Sequence, residues 1–337
     1  MKKILSLLLV IAISLGMSLP VLADENTVHG VRSLETQLEL VEYAQDIFPK
    51  HLHALVEIGD LNGSMEEYSL GEPFTVFNVK DNTNSSCFPV LQNGEIAAIL
   101  EVSKIQGEYN STLSISFSKE LNNLLEKGEL NDFVLLTDGI NLQASNGKRS
   151  INIFKLYDDG NEVGELYNEF NLPISSLSKV VSETDLETES VARSFASNII
   201  RPTAVDGPKS YRTLNVNGVS QSGDTCWAAV CATMINYYRG ESLSAVDVAK
   251  YIFGDDWDKG GTWTDMRNAY NHWGLYPSET GAISFSDVKS EIDASKPMHL
   301  GLNGHSVGLI GYENWVGSAG GSNDRILILM EPKGLTF

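Results

Sequence analysis

A cysteine beside a polar turn is the residue best placed for nucleophilic chemistry in this chain. Cys226 follows the glycine-containing turn 221–225 and opens an apolar run at helical spacing that stops at Gly240. A helix that begins at Cys226 would surround its sulfur with unpaired backbone N–H groups and the positive end of the helix dipole. Both favour the thiolate, the nucleophilic form of cysteine. His305, further along the chain, is the candidate cationic partner.

Two sequence motifs resemble those of the papain-like cysteine peptidases. One is a glutamine followed by Cys-Trp-Ala, and the other is a histidine strand ending in Gly-Tyr: here Gln221 with Cys226-Trp227-Ala228, and His305-Ser306-Val307 with Gly311-Tyr312. The resemblance covers residues 210 to 337 and is closest to bacterial secreted members, the streptopain-like and bacteriocin-leader peptidases. It implies an α+β fold in which a helical lobe carries the cysteine and an antiparallel sheet carries the histidine.

The resemblance also implies the chemistry of a cysteine endopeptidase. Cys226 would attack the carbonyl carbon of a peptide bond, and His305 would stabilise the thiolate and then protonate the leaving amine. The substrate is then a protein or a peptide, and the reaction needs no cofactor. The sequence contains no cluster of residues with metal-ligand spacing.

A third polar residue should hold the His305 ring in orientation. In the family this residue is an Asn or Asp at the end of the strand after the histidine strand. Here the apolar run 325–330 predicts that strand, and Glu331 follows it. A glutamate is one methylene longer but can still accept a hydrogen bond from an imidazole N–H. Asp324 and Asn314 are the alternatives.

Gln221 is the candidate for stabilising the oxyanion that forms during the attack. The family glutamine donates its side-chain N–H to this oxygen, and such a donor contributes about 2.7–4 kcal/mol. Gln221 lies five residues before Cys226, one residue nearer than in the family. The backbone N–H of Cys226 is the second expected donor.

The other cysteines and histidines near these motifs have structural interpretations. Cys231 lies on a different helix face within an apolar run, which predicts a core residue. His299 lies in the predicted strand 298–302, which lacks the Gly-Tyr continuation, so it is only the second candidate for the base. His272, near the end of a predicted helix, is expected to be a solvated or capping residue.

The first 23 residues have the pattern of a signal peptide. Basic residues at positions 2 and 3 precede an apolar run that ends in small residues at Ala23, so Asp24 would begin the exported protein. No later apolar run approaches the roughly 20 residues that span a bilayer. We therefore expect a secreted, extracellular protein without stable membrane insertion. With three cysteines in the whole chain, its fold does not depend on a disulfide framework.

Charge and composition divide the rest of the chain. Residues 24–210 carry 13 Lys or Arg against 30 Asp or Glu, a balance of −17, while residues 211–337 carry 9 against 14, a balance of −5. Neither part has the basic patch of a nucleic-acid binder. We predict an acidic α+β pro-domain over 24–182, a linker with an activation site over 183–210, and the papain-like cysteine peptidase domain over 211–337.

The segment 68–90 resembles the pro-regions of streptopain-like peptidases, which implies that the pro-domain blocks the cleft and assists folding. Within the pro-domain, apolar spacing predicts helices over 34–48 and 118–127, and Asn93-Gly94 predicts a hairpin turn. In the peptidase domain the same reasoning predicts three further helices and an antiparallel sheet: helices 244–252, 264–273 and 286–294, and strands 298–302, 307–312 and 325–330.

Two other functions remain open from the sequence. The glutamine spacing, the glutamate in place of Asn or Asp, and the short segment after Glu331 are compatible with a non-catalytic secreted protein that keeps the fold for binding. Family members normally add sheet strands after this point, so the sequence predicts an abbreviated or incomplete form. The same Cys–His chemistry would also serve another acyl transfer, such as transglutamination.

Overall fold

The alternating and helical patterns of the sequence fold into two separate β-sheets, each flanked by helices. The computed structural model describes residues 30–127, 132–139, 141–155, 165–180, 200–202, 206–302, 304–317, 324–332 and 335–336. The predicted signal peptide and most of the predicted linker lie outside these residues. We call residues 30–180 the N-terminal region and residues 206–336 the C-terminal region.

Six α-helices are present among the described residues. Two belong to the N-terminal region and four to the C-terminal region: α1 Leu38–Glu57, α2 Ile115–Lys127, α3 Cys226–Arg239, α4 Ala245–Phe253, α5 Trp263–His272 and α6 Phe285–Asp293. In the part of the chain that the structure covers, no helix combines the length and apolar composition of a membrane span.

The N-terminal region contains an eight-stranded sheet. Its strands are β2 Tyr68–Leu70, β3 Phe74–Asn78, β4 Thr83–Gln92, β5 Glu95–Ile105, β6 Glu108–Ser114, β7 Val134–Thr137, β8 Asn141–Ser145 and β9 Ser150–Lys155. They lie in the order β6-β5-β4-β3-β7-β8-β9, and β2 pairs with one edge of β4. The short strands β1 Arg32–Ser33 and β10 Ser178–Lys179 pair separately. All pairings are antiparallel except that of β3 with β7. Helices α1 and α2 both pack on β5.

The predicted hairpin at Asn93-Gly94 is confirmed. Asn93 and Gly94 have φ angles of 53° and 82°, as a two-residue turn between β4 and β5 requires.

The predicted bounds of α1 were wrong at both ends. The helix begins at Leu38 rather than at residue 34, and it continues through Pro49 to Glu57. A proline inside a helix removes one backbone hydrogen bond and costs about 3 kcal/mol. Phe48, Leu52 and Leu55 are buried on both sides of it. Burial of each such side chain contributes about 1.5–3 kcal/mol, which outweighs the cost of the proline.

The helices of the C-terminal region begin and end where their capping residues predict. Ser244 and Thr262 each accept a hydrogen bond from the backbone N–H three residues on, and the carboxylates of Asp247 and Asp265 accept one from the cap residue's N–H. Ser284 caps α6 by accepting a hydrogen bond from the Asp287 N–H. The three predicted helices are thus confirmed to within a residue or two.

The predicted antiparallel sheet is also confirmed, with one histidine-bearing strand at its centre. Its strands are β11 Ser210–Thr213, β12 Met298–Leu302, β13 His305–Asn314, β14 Arg325–Glu331 and β15 Leu335–Thr336. β12 pairs with the first half of β13, β11 pairs with its second half, and β14 pairs with its other edge. Helix α3 packs on β13 and β12, so the beginnings of α3 and β13 come together.

Candidate active site

Cys226 is the first residue of α3, as the sequence predicts. Its side chain is largely buried, with 6% of the residue exposed. The preceding Thr225 is fully buried, and its hydroxyl accepts a hydrogen bond from the Ser222 N–H and donates one to the Ser222 carbonyl. These two bonds close the turn before the helix and fix the position of the Cys226 backbone N–H.

A second loop holds the same turn from outside. Asp258 Oδ1 accepts a hydrogen bond of 2.8 Å from the Asp224 N–H. Gly223 has a φ of +60°, and a Cβ there would lie 1.9 Å from Asp258 Oδ1, so only glycine permits this approach. The Trp227 indole N–H donates to the Lys259 carbonyl at 2.9 Å. Asp258 is a positioning residue that the sequence analysis missed, because nothing in the sequence relates it to a turn 34 residues earlier.

His305 and Glu331 form a buried pair across the sheet. His305 begins β13 and Glu331 ends β14. Their residues are 5% and 2% exposed, and His305 Nε2 lies 2.9 and 2.8 Å from the two carboxylate oxygens. The contact fixes the ring, because a donor between both oxygens cannot rotate without losing the bond.

The other ring nitrogen of His305, Nδ1, has a different environment from Nε2. Nδ1 is buried, and none of the described residues forms a hydrogen bond of normal geometry with it. Burial by itself lowers the pKa of His305, but hydrogen bonding with Cys226 and Glu331 and their negative charges raise it to about 9. Since Glu331 occupies Nε2, we assign the interaction with Cys226 to Nδ1. Cys226 on one side and the Glu331 carboxylate on the other therefore both favour the protonated form of His305.

Gln221 lies at the junction between the cysteine turn and the glutamate strand. Its backbone N–H donates to the carbonyl of Pro332, the residue after Glu331, at 2.6 Å. Its side-chain Nε2 donates to the Gly223 carbonyl at 2.7 Å, while its buried Oε1 has no partner within the described part of the chain. One N–H of the side-chain amide thus bonds within the turn.

The alternative orienting residues lie elsewhere. Asn314 is at the opposite end of β13 from His305, and it pairs with Arg325 at the start of β14. Asp324 precedes that strand and accepts a hydrogen bond from Lys50 of helix α1. The structure brings Glu331 to His305, and neither Asp324 nor Asn314.

The remaining cysteine and histidine candidates have contacts of their own. Cys231 is fully buried, and burial raises its pKa to about 12. His299 Nδ1 lies 2.7 Å from the Tyr270 hydroxyl and 3.9 Å from the Cys231 sulfur, and burial lowers its pKa to about 3. A histidine that stays neutral at physiological pH cannot form an ion pair with a thiolate. His272 stacks on Tyr251 with ring centroids 3.7 Å apart.

The fold and this geometry are compatible with a papain-like cysteine peptidase domain, with a cysteine at a helix start and a histidine on the facing sheet. Residues 209–311 match the family model described as the papain-like cysteine protease AvrRpt2. The match supports a cysteine-type peptidase of a papain-like family. It includes Cys226 and His305 but stops before Glu331, and it does not single out the streptopain-like or bacteriocin-leader peptidases. No curated protein matches the chain.

Proposed function

We propose that this protein is a secreted cysteine endopeptidase that hydrolyses peptide bonds with Cys226 as nucleophile and His305 as acid and base. The observation that carries the proposal is the position of the His305 ring. One nitrogen is held by Glu331 at 2.8 Å, and the pKa of His305 is raised to about 9 by interactions that include the Cys226 thiol. This is the environment that a thiolate–imidazolium pair requires.

The reaction proceeds in two acyl-transfer steps. The Cys226 thiolate attacks the carbonyl carbon, the C–N bond breaks, and His305 gives its proton to the departing amine. Neutral His305 then takes a proton from water, which hydrolyses the thioester and restores the thiolate and imidazolium. Glu331 keeps the ring in one orientation throughout and stabilises its positive charge.

The oxyanion of each step would lie beside the start of α3. The backbone N–H of Cys226 is one donor, and the Gln221 side chain is the second. Because one of its two amide N–H bonds is directed to Gly223, Gln221 would use the other N–H for the oxyanion. Anchoring of its backbone to Pro332 supports this role, since the donor is then tied to the strand that carries Glu331.

The regulation follows from the order of the two regions. The chain begins with the pattern of a signal peptide, and an acidic region of 30 Asp or Glu against 13 Lys or Arg over residues 24–210 precedes the catalytic residues. We propose that the N-terminal region restrains the peptidase as a pro-domain and that cleavage in the segment 183–210 begins activation.

A peptide electrophile tests the function most directly. A peptidyl vinyl sulfone should modify Cys226 and leave Cys87 and Cys231 unmodified, since burial raises the pKa of both of those thiols. Prior alkylation should suppress the labelling, and hydrolysis of peptides should exceed incorporation of added amines. Absence of labelling in the cleaved chain would contradict catalysis, while dominant amine incorporation would indicate a transferase.

A further inference from the structure

Helix α1 of the N-terminal region rests on the C-terminal sheet at the end of β13 that is far from His305. Ala54, 3% exposed, packs in an apolar cluster with four residues of the sheet and with Trp315, which follows β13; the four are Ile310, Ile326, Ile328 and Met330. Glu313, also at this contact, is eight residues along the strand from His305. At a rise of about 3.3 Å per residue, the two are roughly 25 Å apart. The part of this contact at Glu313 is therefore remote from His305, while its apolar part extends along β14 to Met330.

A buried lysine joins the two regions beside this apolar cluster. Lys50 on α1 is only 4% exposed, and its ammonium lies 2.6 Å from Asp324 and 2.9 Å from Asp46. Asp46 is on the same helix, whereas Asp324 belongs to the C-terminal region. A buried ammonium is tolerated only where carboxylates compensate its charge, so Asp324 makes the contact selective.

A histidine one turn further along α1 makes a second polar contact. His53 Nδ1 lies 2.9 Å from Glu313 Oε1, and the Trp315 indole N–H donates to Glu313 Oε2 at 2.8 Å. The His53 ring also meets the Trp315 ring edge to face, with centroids 5.2 Å apart. Glu313 is 1% exposed, so its carboxylate is satisfied by one partner from each region.

We call these residues the α1 docking surface: Lys50, His53 and Ala54 of helix α1 with Glu313, Trp315 and Asp324 of the C-terminal region. The surface has an apolar centre with polar pairs beside it, which is the anatomy of a specific protein interface.

A separate contact ties the segment before the peptidase to the N-terminal region. Leu70 and Ile200 exchange two backbone hydrogen bonds, of 2.7 and 2.9 Å. The Ile200 side chain packs against the core of the N-terminal region. A cut before residue 200 would leave Ile200 on the peptidase fragment, where it continues to pair with Leu70.

We propose that the N-terminal region stays bound to the peptidase after the chain between them is cut, held by the α1 docking surface and by the Leu70–Ile200 pairing. This inference rests on the proposed function only in taking that cut as the activating event. Cleavage then opens the chain without releasing the N-terminal region, and separation is a second step that needs the docking surface to be broken.

The test is a cut in the full chain with a readout that does not depend on activity. A recognition sequence for a site-specific protease replaces residues 186–191 in a Cys226→Ala chain, which cannot process itself. After complete cleavage at neutral pH, the two fragments should elute together in size-exclusion chromatography at micromolar concentration. Separate elution of the unsubstituted fragments would overturn the proposal. Because no catalysis is measured, this outcome leaves the peptidase assignment intact.

Substitutions locate the contact. Lys50→Met and Asp324→Asn should each weaken the association by roughly 30-fold or more, since each removes the charge pair that joins the buried Lys50 ammonium to the C-terminal region. The control is Lys104→Met, which breaks an exposed pair with Glu39 inside the N-terminal region and should leave co-elution unchanged. Asp324→Asn keeps the volume of its side chain, so it tests the contact if Lys50→Met does not fold. The assigned surface would be contradicted if the Asp324→Asn fragments associated as tightly as the unsubstituted ones. It would also be contradicted if Lys104→Met weakened the association as much as Lys50→Met does.

Moving the cut tests the contribution of the Leu70–Ile200 pairing separately. A recognition sequence placed at 203–208 leaves Ile200 on the N-terminal fragment, so the Leu70–Ile200 pairing no longer joins the two fragments. Association should then weaken relative to the cut at 186–191 but persist through the α1 docking surface. If the fragments from both cuts bind each other equally tightly, the Leu70–Ile200 pairing does not contribute to their association.

Discussion

Two histidine–glutamate pairs lie at opposite ends of strand β13, and their surroundings differ. His305 Nε2 meets Glu331 at 2.8 Å, and His53 Nδ1 meets Glu313 at 2.9 Å, with both carboxylate side chains 1% exposed. The pairs differ in their third partner. At one end the second histidine nitrogen is left for a thiol, while at the other the second carboxylate oxygen is taken by the Trp315 indole.

The comparison shows that a buried His–Glu pair is not in itself a catalytic feature. The His305 pair faces Cys226 at a helix start, and in the proposed mechanism this cysteine makes the ring a proton carrier. The His53 pair joins a helix of one region to a strand of the other, which makes it part of an interface. The difference is set by the element that faces each pair: α3 beside His305, and α1 beside Glu313.

The largest effect should follow removal of the nucleophile. Cys226→Ala should lower kcat/KM for peptide hydrolysis by about 10⁴-fold or more, because no other group can form the thioester. The matched control is Cys231→Ala, which removes a fully buried sulfur five residues along the same helix and should chiefly affect stability. A folded Cys226→Ala chain that cleaves peptides at the normal rate would refute the mechanism.

The next largest effect distinguishes the two histidines. His305→Ala should lower kcat by about 10²–10⁴-fold, because the thiolate loses its cation and the leaving amine its acid. His53→Ala should leave the kcat of the cleaved chain unchanged and weaken fragment association instead. Both kcat and the affinity between the two fragments are measured for each variant. A similar loss of kcat in His53→Ala would contradict the distinction between the two histidines.

A smaller effect is expected at the two glutamates. Glu331→Gln should reduce kcat by roughly 10²-fold, because a neutral amide orients the ring without stabilising its positive charge. It should also shift the alkaline limb of the pH–rate profile below pH 9, since the Glu331 carboxylate contributes to the raised pKa of His305. Glu313→Gln is the matched control and should leave the profile in place.

The smallest effect concerns pH and docking. Burial raises the pKa of Glu313 above its usual 4.5, with the nearby Glu57 adding to the rise and the His53 and Trp315 contacts partly opposing it. A carboxyl whose pKa is raised by folding contributes stability that is present below about pH 4.5 and is lost as the pH rises through the raised value.

The Glu313 contact is therefore not a point at which mild acid separates the two regions. Glu313→Gln should flatten the dependence of fragment affinity on pH between about pH 4.5 and pH 7. Exposed Glu39 is the control position. An unchanged pH dependence in Glu313→Gln would show that another group controls it.

The local structure of the peptidase could be predicted from the sequence because its determinants are close together along the chain. Ser244 with Asp247 and Thr262 with Asp265 cap their own helices, and each signal spans four residues. The predicted helix ended at residue 48, whereas α1 continues through Pro49, a residue type that ordinarily breaks a helix. The burial that overrides it, at Leu52 and Leu55, depends on contacts with β-strands far along the chain.

Long-range pairings in the site could be predicted only through the family resemblance, and some were not predicted at all. Cys226, His305 and Glu331 were placed by motif order, and their roles remain predictions. Asp258 was missed because its partner is a backbone N–H in a turn 34 residues away. The α1 docking surface was missed because Lys50 and Asp324 are 274 residues apart, and a charged residue on a helix is ordinarily solvated.

The measurement that tests the thiolate–imidazolium pair most directly is the rate of Cys226 alkylation by iodoacetamide as a function of pH, followed by peptide mapping. Cleaved chains with His305, with His305→Ala and with His53→Ala are compared from about pH 4 to about pH 10. The account predicts rapid alkylation well below neutral pH with His305 and with His53→Ala, and its loss in His305→Ala. The same profile in all three chains would contradict the account, because Cys226 would then react without its proposed partner.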